Sequence, residues 1–418
     1  MPCVRKSTLS SALAAATATL SSIYGGPAPT STTAAVQTYV PVVASSSVVA
    51  SSSVVASSSV VASSSVVASS SMAASSSVAS SMAAQPTGAS GGSSTVPTPT
   101  GNQTAYAGVN IAGFDFGCGT DGTCTVDGIT VPSLGAAQMQ HFKKDNGLNL
   151  FRLPVGWQYL TNNVASGDLD ATNFGKYDAL MQDCLDLGVK CVLDVHNYGR
   201  FNGQVIGQGG PSNDDFAALW TSLATKYAKE PNVIFGIMNE PHDLTTSTWA
   251  DTVQAAVTAI RKVAPDNWLL IPGSTYSSAA QLPTEAGPDL LKVTNPDGST
   301  KNIFFDVHKY LDSDNSGTNA ECTTNNIDDA FAPLAKWLRA NNRQAMLTET
   351  GGGNTASCEK YVCEQFDFLN QNADVFLGYV GWAAGGFDAS YVLTLTPTGS
   401  TADSMQDTSL MSKCYARN

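Results

Sequence analysis

Eight short apolar runs, rich in β-branched and aromatic residues, punctuate the later three quarters of the chain at 107–111, 148–154, 189–195, 233–238, 268–272, 303–307, 344–348 and 376–382. The intervals between them leave room for a helix each time. Stretches such as 215–229 and 249–263 carry the helical spacing of apolar positions that such a helix needs. Strand and helix in regular alternation predict a parallel sheet, and eight repeats predict its closure into a (β/α)8 barrel of the α/β class.

The first hundred residues have a different pattern. After Arg5 and Lys6, an uncharged Ala/Leu/Thr/Ser stretch from Leu9 to Leu20 has the layout of a secretory leader, read here as residues 1–27. It is too short and too polar to span a bilayer, and no later run reaches the length of a membrane helix. From 42 to 71 the unit Val-Val-Ala-Ser-Ser-Ser recurs five times, then gives way to Pro- and Thr-containing sequence. A period of six can mark a stacked β-helix, but triple Ser offers nothing to fill its core. Ser/Thr runs with Pro mark O-glycosylated stalks, so 28–103 is read as a disordered Ser/Ala/Val-rich linker whose sugars would shield its β-prone Val pairs. The N-glycosylation sequon Asn102-Gln103-Thr104 sits at its end. The segment Gly88-Ala89-Ser90-Gly91-Gly92 matches an esterase nucleophile elbow in letters only, since no strand or helix pattern flanks it.

Charge sharpens the division. Arg5 and Lys6 are the only charges among the first 114 residues, and Tyr24 and Tyr39 the only aromatics before Gly101. So little apolar surface does not repay the entropy of folding. The remainder, 104–418, holds all six Trp, every acidic residue and eight of the nine Cys. Its net negative charge argues against nucleic acid or an anionic membrane as partner and leaves neutral or basic ligands open.

With Cys3 in the leader, Cys118, Cys124, Cys184, Cys191, Cys322, Cys358, Cys363 and Cys414 remain. An even count without the CxxC pairs of a zinc site predicts disulfides and an oxidising, extracellular setting. Short loops favour Cys118 with Cys124 and Cys184 with Cys191; spacing alone leaves the other four open.

Polar residues cluster where the predicted strands end: Arg152 after the second, His196 and Asn197 after the third, Asn239 and Glu240 after the fourth, His308 and Tyr310 after the sixth, Glu349 after the seventh, Trp382 at the eighth. Singly, His196, His308 or Arg152 would pass as a structural histidine or ion-pair partner, and Trp382 as core. Together they put carboxylate, imidazole, amide and guanidinium groups at the barrel end where chemistry gathers. Glu240 and Glu349, on facing strands, suit glycoside hydrolysis, in which one carboxyl protonates the leaving oxygen and the other serves the anomeric carbon. Metal-assisted hydrolysis is the rival chemistry, but His141, His196, His242 and His308 form neither His-x-His nor His-Glu-x-x-His. No phosphate-binding glycine pattern follows a strand, so neither metal nor nucleotide cofactor is expected.

These residues resemble a known family. Asn239-Glu240-Pro241, Thr348-Glu349 and the phrases Gly113-Phe114-Asp115-Phe116-Gly117-Cys118, Phe151-Arg152-Leu153-Pro154-Val155-Gly156-Trp157 and Asp306-Val307-His308-Lys309-Tyr310-Leu311-Asp312 are similar to those of glycoside hydrolase family 5. Within it they resemble the fungal endo-β-1,4-glucanases of the endoglucanase II type, from about residue 107 onward. The resemblance implies a retaining mechanism with Glu240 as general acid then base and Glu349 as nucleophile, about 5–5.5 Å apart. It implies that Asn239 binds the sugar 2-hydroxyl, that Arg152 and Tyr310 orient Glu349, and that His196, Asn197 and His308 contact sugar hydroxyls or support the acid. Trp382 becomes the floor under a pyranose ring. The pairings Cys322 with Cys358 and Cys363 with Cys414 also follow from the resemblance.

Three departures qualify it. No Cys-rich cellulose-binding module precedes the linker, and Phe201 and Tyr276 stand where relatives often have Trp, which points to weaker outer subsites. The expectation is a secreted, monomeric glucanase acting on β-glucan, with mannan or xyloglucan as neighbouring substrates and a glucan-binding wall protein as the non-enzymatic alternative.

Overall fold

The computed structural model describes residues 103–418, so the leader, the linker and the sequon at Asn102 lie outside the described residues. Eight parallel strands close into a barrel: β1 (Tyr106–Ala112), β2 (Leu150–Val155), β3 (Lys190–Val195), β4 (Val233–Gly236), β5 (Trp268–Pro272), β6 (Ile303–His308), β7 (Ala345–Thr350) and β8 (Phe376–Gly385). Each hydrogen-bonds to its sequence neighbours, and β1 meets β8. All eight predicted runs are strands, and the stretches at 215–229 and 249–263 lie within helices Asn213–Tyr227 and Thr246–Val263.

Local chemistry sets the helix ends. Ser212 and Asp215 form a reciprocal capping box at one helix, and Asp170 and Thr355 cap the N-termini of Ala171–Asp186 and Ala356–Gln371. Each helix lays its apolar stripe against the barrel, where Trp157, Trp220 and Trp249 are fully buried. Truncating any one would cost on the order of 3–5 kcal/mol.

The barrel interior changes character along its axis. Tyr106, Leu150, Val192, Ile234, Trp268, Phe304, Met346 and Leu377 belong to an apolar plug separate from the main core. Successive residues of a strand point to opposite faces, so the next inward position is two residues on. Leu150 is thereby followed by Arg152, Val192 by Asp194, Phe304 by Asp306 and Met346 by Thr348, all buried. The plug seals one end and a charged layer lies on it.

Four disulfides join Cys118 to Cys124, Cys184 to Cys191, Cys322 to Cys358 and Cys363 to Cys414, the pairings expected above. The third ties the loop after β6 to the helix after β7. No helix of the described residues is long and apolar enough to cross a membrane.

Candidate active site

Arg152 organises the charged layer. Fully buried, it donates from Nη1 to Glu349 Oε1 at 2.6 Å and to Asn110 Oδ1 at 2.9 Å, and from Nη2 to Asn239 Oδ1 at 2.7 Å. Nη2 also lies 3.0 Å from Asp194 Oδ2. Burial opposes its charge, but Asp194, Glu349 and Asp306 outweigh that and raise its pKa. Asp194 in turn takes His196 Nδ1 at 2.8 Å, turning the imidazole so that its ring lies parallel to Trp382, centroids 5.4 Å apart.

Glu349 is 4% exposed and receives the Tyr310 hydroxyl at 2.8 Å on its second oxygen. Burial alone would protonate it; the charges of His308, Arg152 and His196, with the Tyr310 hydrogen bond, instead hold its pKa well below the usual carboxylate range. Tyr310 keeps its proton, and so remains a donor, because burial and the Glu349 charge push its pKa well up.

Glu240 Oε1 lies 2.7 Å from His308 Nδ1, and His308 Nε2 lies 2.9 Å from Thr348 Oγ1. The Thr348 hydroxyl donates to Asp306, so it can only accept from Nε2–H. That fixes the imidazole tautomer and leaves Nδ1 as the atom that exchanges a proton with Glu240. Burial works against a charge on His308, yet Glu349, Glu240 and Asp306 raise its pKa to about 9. The folded value is above the ordinary one near 6.5, so the stabilisation by protonated His308 is complete below about pH 6.5 and lost as pH rises through about 9. His308→Gln is therefore expected to cost about 3 kcal/mol more at pH 6 than at pH 10, read by denaturant unfolding; an equal cost at both would show that His308 is not charged in the fold.

Backbone irregularities make this convergence possible. A register shift between β6 and β7 pairs Val307 with Leu347 but His308 with Glu349, so the consecutive Thr348 and Glu349 both reach interior partners. Asn239 and Glu240 are likewise adjacent and both face the site, with Glu240 in left-handed backbone at φ 42°. Such a conformation costs a non-glycine residue about 1–2 kcal/mol and is typical of catalytic positions.

Asn239 Nδ2 is buried without a hydrogen-bond partner among the described residues. Because Oδ1 is held by Arg152, the amide cannot turn, and the free donor stays beside the carboxylates.

One oxygen each of Glu240 and Glu349 and one nitrogen of His308 lie within 4.8 Å of one another, a set that could hold a cation. Both His308 nitrogens are already engaged, one with Glu240 and one with Thr348, which fits a proton relay better than a ligand set.

Two expected contacts fall elsewhere. Asn197 is fully buried: Oδ1 accepts Trp157 N–H at 2.6 Å and Nδ2 donates to Gln158 at 2.7 Å, leaving nothing for a sugar. Phe201 packs edge-on to Trp157 and is 6% exposed, so it is core and no subsite platform. Tyr276, by contrast, is 42% exposed and stacks on His242 at 4.2 Å.

The loop after β6 supports Tyr310. Asp312 gathers the N–H groups of Gly317, Thr318 and Asn319, each at 3.1 Å. This seats Gly317, at φ 71°, against the Tyr310 ring, where a Cβ would come within 2.8 Å. Gly317→Ala is expected to shift Tyr310 off Glu349 and lower kcat about tenfold, with a loss of about 1–2 kcal/mol in stability. Unchanged kcat in a folded variant would refute the coupling.

A family model described as cellulase (glycosyl hydrolase family 5) matches residues 109–386. Endoglucanase EG-II of Hypocrea jecorina is 58% identical over 330 residues, 76% of this chain and 79% of that protein. A protein of Phanerodontia chrysosporium named manganese dependent endoglucanase Eg5A is 47% identical, over 77% of this chain and 82% of its own. The crystal structure of Cel5A (EG2) from Hypocrea jecorina superposes with a TM-score of 0.74 at 57% identity, covering 75% of this chain and 99% of that one. Barrel, charged layer and sequence agree, and the chain belongs to the cellulase family, glycosyl hydrolase family 5.

Proposed function

We propose that this chain is a retaining endo-β-1,4-glucanase that cuts internal bonds of cellulose or β-glucan. The observation that carries the reading is the pair Glu240 and Glu349 at the barrel mouth, with oxygens within 4.8 Å. Retaining hydrolases hold their carboxyl groups about 5–5.5 Å apart, and inverting ones about 6.5–9.5 Å to admit a water. Relatives named endoglucanases at 58% and 47% identity support the choice of substrate class.

Each residue has a task in two displacements. A Glu349 oxygen bonds to the anomeric carbon as its bond to the leaving oxygen breaks, and that oxygen takes a proton from Glu240. Water then attacks the same carbon, giving its proton to Glu240 and releasing Glu349. Arg152 and Tyr310 hold Glu349 ionised and aimed. His308 supplies and receives the proton shared with Glu240, and Asn239 Nδ2 meets the 2-hydroxyl, a contact that strengthens as positive charge grows on the ring. His196 presents its Nε2 beside the Trp382 floor.

The catalytic domain is 104–418, preceded by a linker and a cleaved leader. Four disulfides fit an oxidising, extracellular destination. The test follows viscosity and reducing ends together on soluble carboxymethyl cellulose. A fast viscosity drop with few new ends is expected. Inactivity there with turnover of mannan or xyloglucan would move the substrate, and inactivity on all three would leave a glucan-binding protein.

A further inference from the structure

The loops after β1 and β8, which meet around Phe387 next to Trp382, carry two polar groups that the two-displacement chemistry does not use. Asp115, three residues beyond β1, is 7% exposed. Its Oδ1 accepts the Gly113 N–H at 2.7 Å, and its other oxygen has no hydrogen-bond partner among the described residues and is not sealed from solvent. The Tyr391 hydroxyl accepts Trp382 Nε1–H at 3.0 Å and donates to no described residue. Its ring lies flat on Phe387, centroids 3.8 Å apart, and Phe387 leans on Phe116 at 4.7 Å and meets Trp382 edge-on at 6.1 Å. The loops after β1 and β8 thus build one aromatic wall, with Asp115 adjacent to Phe116 in the chain.

The barrel order places both groups on the nucleophile's side: the loops after β1 and β8 rise from adjoining strands, β8 pairs with β7, which carries Glu349, and β4, which Glu240 follows, lies across the barrel. Burial raises the Asp115 pKa, with His196 opposing and Glu349 adding to the rise. Burial likewise raises that of Tyr391, with the charges of Glu349 and Asp115 adding. Tyr276, on the other flank, is raised by burial and by Asp243 and Glu240. Glu240 protonates the departing oxygen, so its flank is the leaving side and the flank of Asp115 and Tyr391 is the glycone side.

A free carboxylate acceptor and a free phenol donor beside an aromatic plane suit a pyranose, whose faces stack while its hydroxyls need partners of both kinds. We propose that Asp115 and Tyr391 bind hydroxyl groups of the glucan on the glycone side of the cleaved bond, Asp115 accepting and Tyr391 donating. This rests on the glucanase reading above.

The test is calorimetric titration of cellopentaose into Glu349→Gln protein, which removes turnover and any effect of Asp115 on the nucleophile's charge. In that background Asp115→Asn and Tyr391→Phe are each expected to weaken binding about tenfold, the worth of one good hydrogen bond. Asn at 115 keeps the oxygen that holds Gly113, so thermal unfolding is expected to stay where it was; Tyr391→Phe keeps the stack on Phe387. Binding of Asp115→Asn within twofold of its parent would overturn the proposal. Failure of the Glu349→Gln parent itself to bind cellopentaose would instead sink the glucanase reading, and this one with it.

Discussion

Glu349→Gln is expected to lower kcat on carboxymethyl cellulose by at least about 10⁴-fold while the protein stays folded. The amide matches the carboxylate in shape: its oxygen can still accept from Arg152, 2.6 Å away, while its NH2 takes the place of the oxygen that held the Tyr310 hydroxyl at 2.8 Å, and that hydroxyl can turn to accept from it. What it cannot do is form a glycosyl ester. Arg152 retains Asp194 as a buried counter-charge, so the variant is spared an uncompensated guanidinium. Residual activity above about a tenth of wild type would exclude Glu349 as nucleophile. In the wild type, NMR at early times is expected to show product with the substrate's anomeric configuration. Inversion would contradict the covalent route even if the variant were inactive.

Much of this site was legible in the sequence because a parallel barrel constrains where residues go. Once the eight apolar runs are strands, the polar residue at each strand end faces the same mouth, and Arg152, Asn239, Glu240, His308, Tyr310 and Glu349 meet there. What failed was the step from a residue to its neighbour. Asn197 follows His196 in the tight turn just past the end of β3, and the two side chains take different partners, so one reaches the cleft and the other the packing beneath it. A residue that leaves the strand in a turn has no face assigned by the strand's alternation, so its sequence position alone did not remove Asn197 from the expected contacts. Strict alternation applied to Glu349 would have misled, since the bulge at Thr348 turns two consecutive residues inward.

The supporting residues were harder to see. Asn110, Asp194, Asp306 and Thr348 lie inside the strands, where a polar residue reads as a minor flaw in an apolar run. The signal was a polar residue two positions after a large apolar one on several strands, a plug with a charged layer above it. Asp115 and Tyr391 belong to different loops, and only the packing of Phe116 on Phe387 brings them to one wall. Pairings of that kind have no local sequence signature.

Glu240→Gln separates the acid and base duties from mere support. The amide oxygen can still take the His308 Nδ1 hydrogen, which preserves the contact made at 2.7 Å, but no proton is available for the leaving oxygen. On polysaccharide the leaving group is a sugar alcohol that departs poorly without protonation, and kcat is expected to fall about 10²–10⁴-fold. An aryl β-cellobioside with an acidic phenol needs little such help, so Glu349 is expected to displace it at a near wild-type rate. Deglycosylation then stalls, because water lacks its base. The expected trace is a burst of about one phenol per enzyme followed by slow turnover, the signature of an accumulated covalent intermediate. Loss of activity to the same degree on both substrates, with no burst, would mean that Glu240 acts on the shape of the site and that the transferred proton has another source.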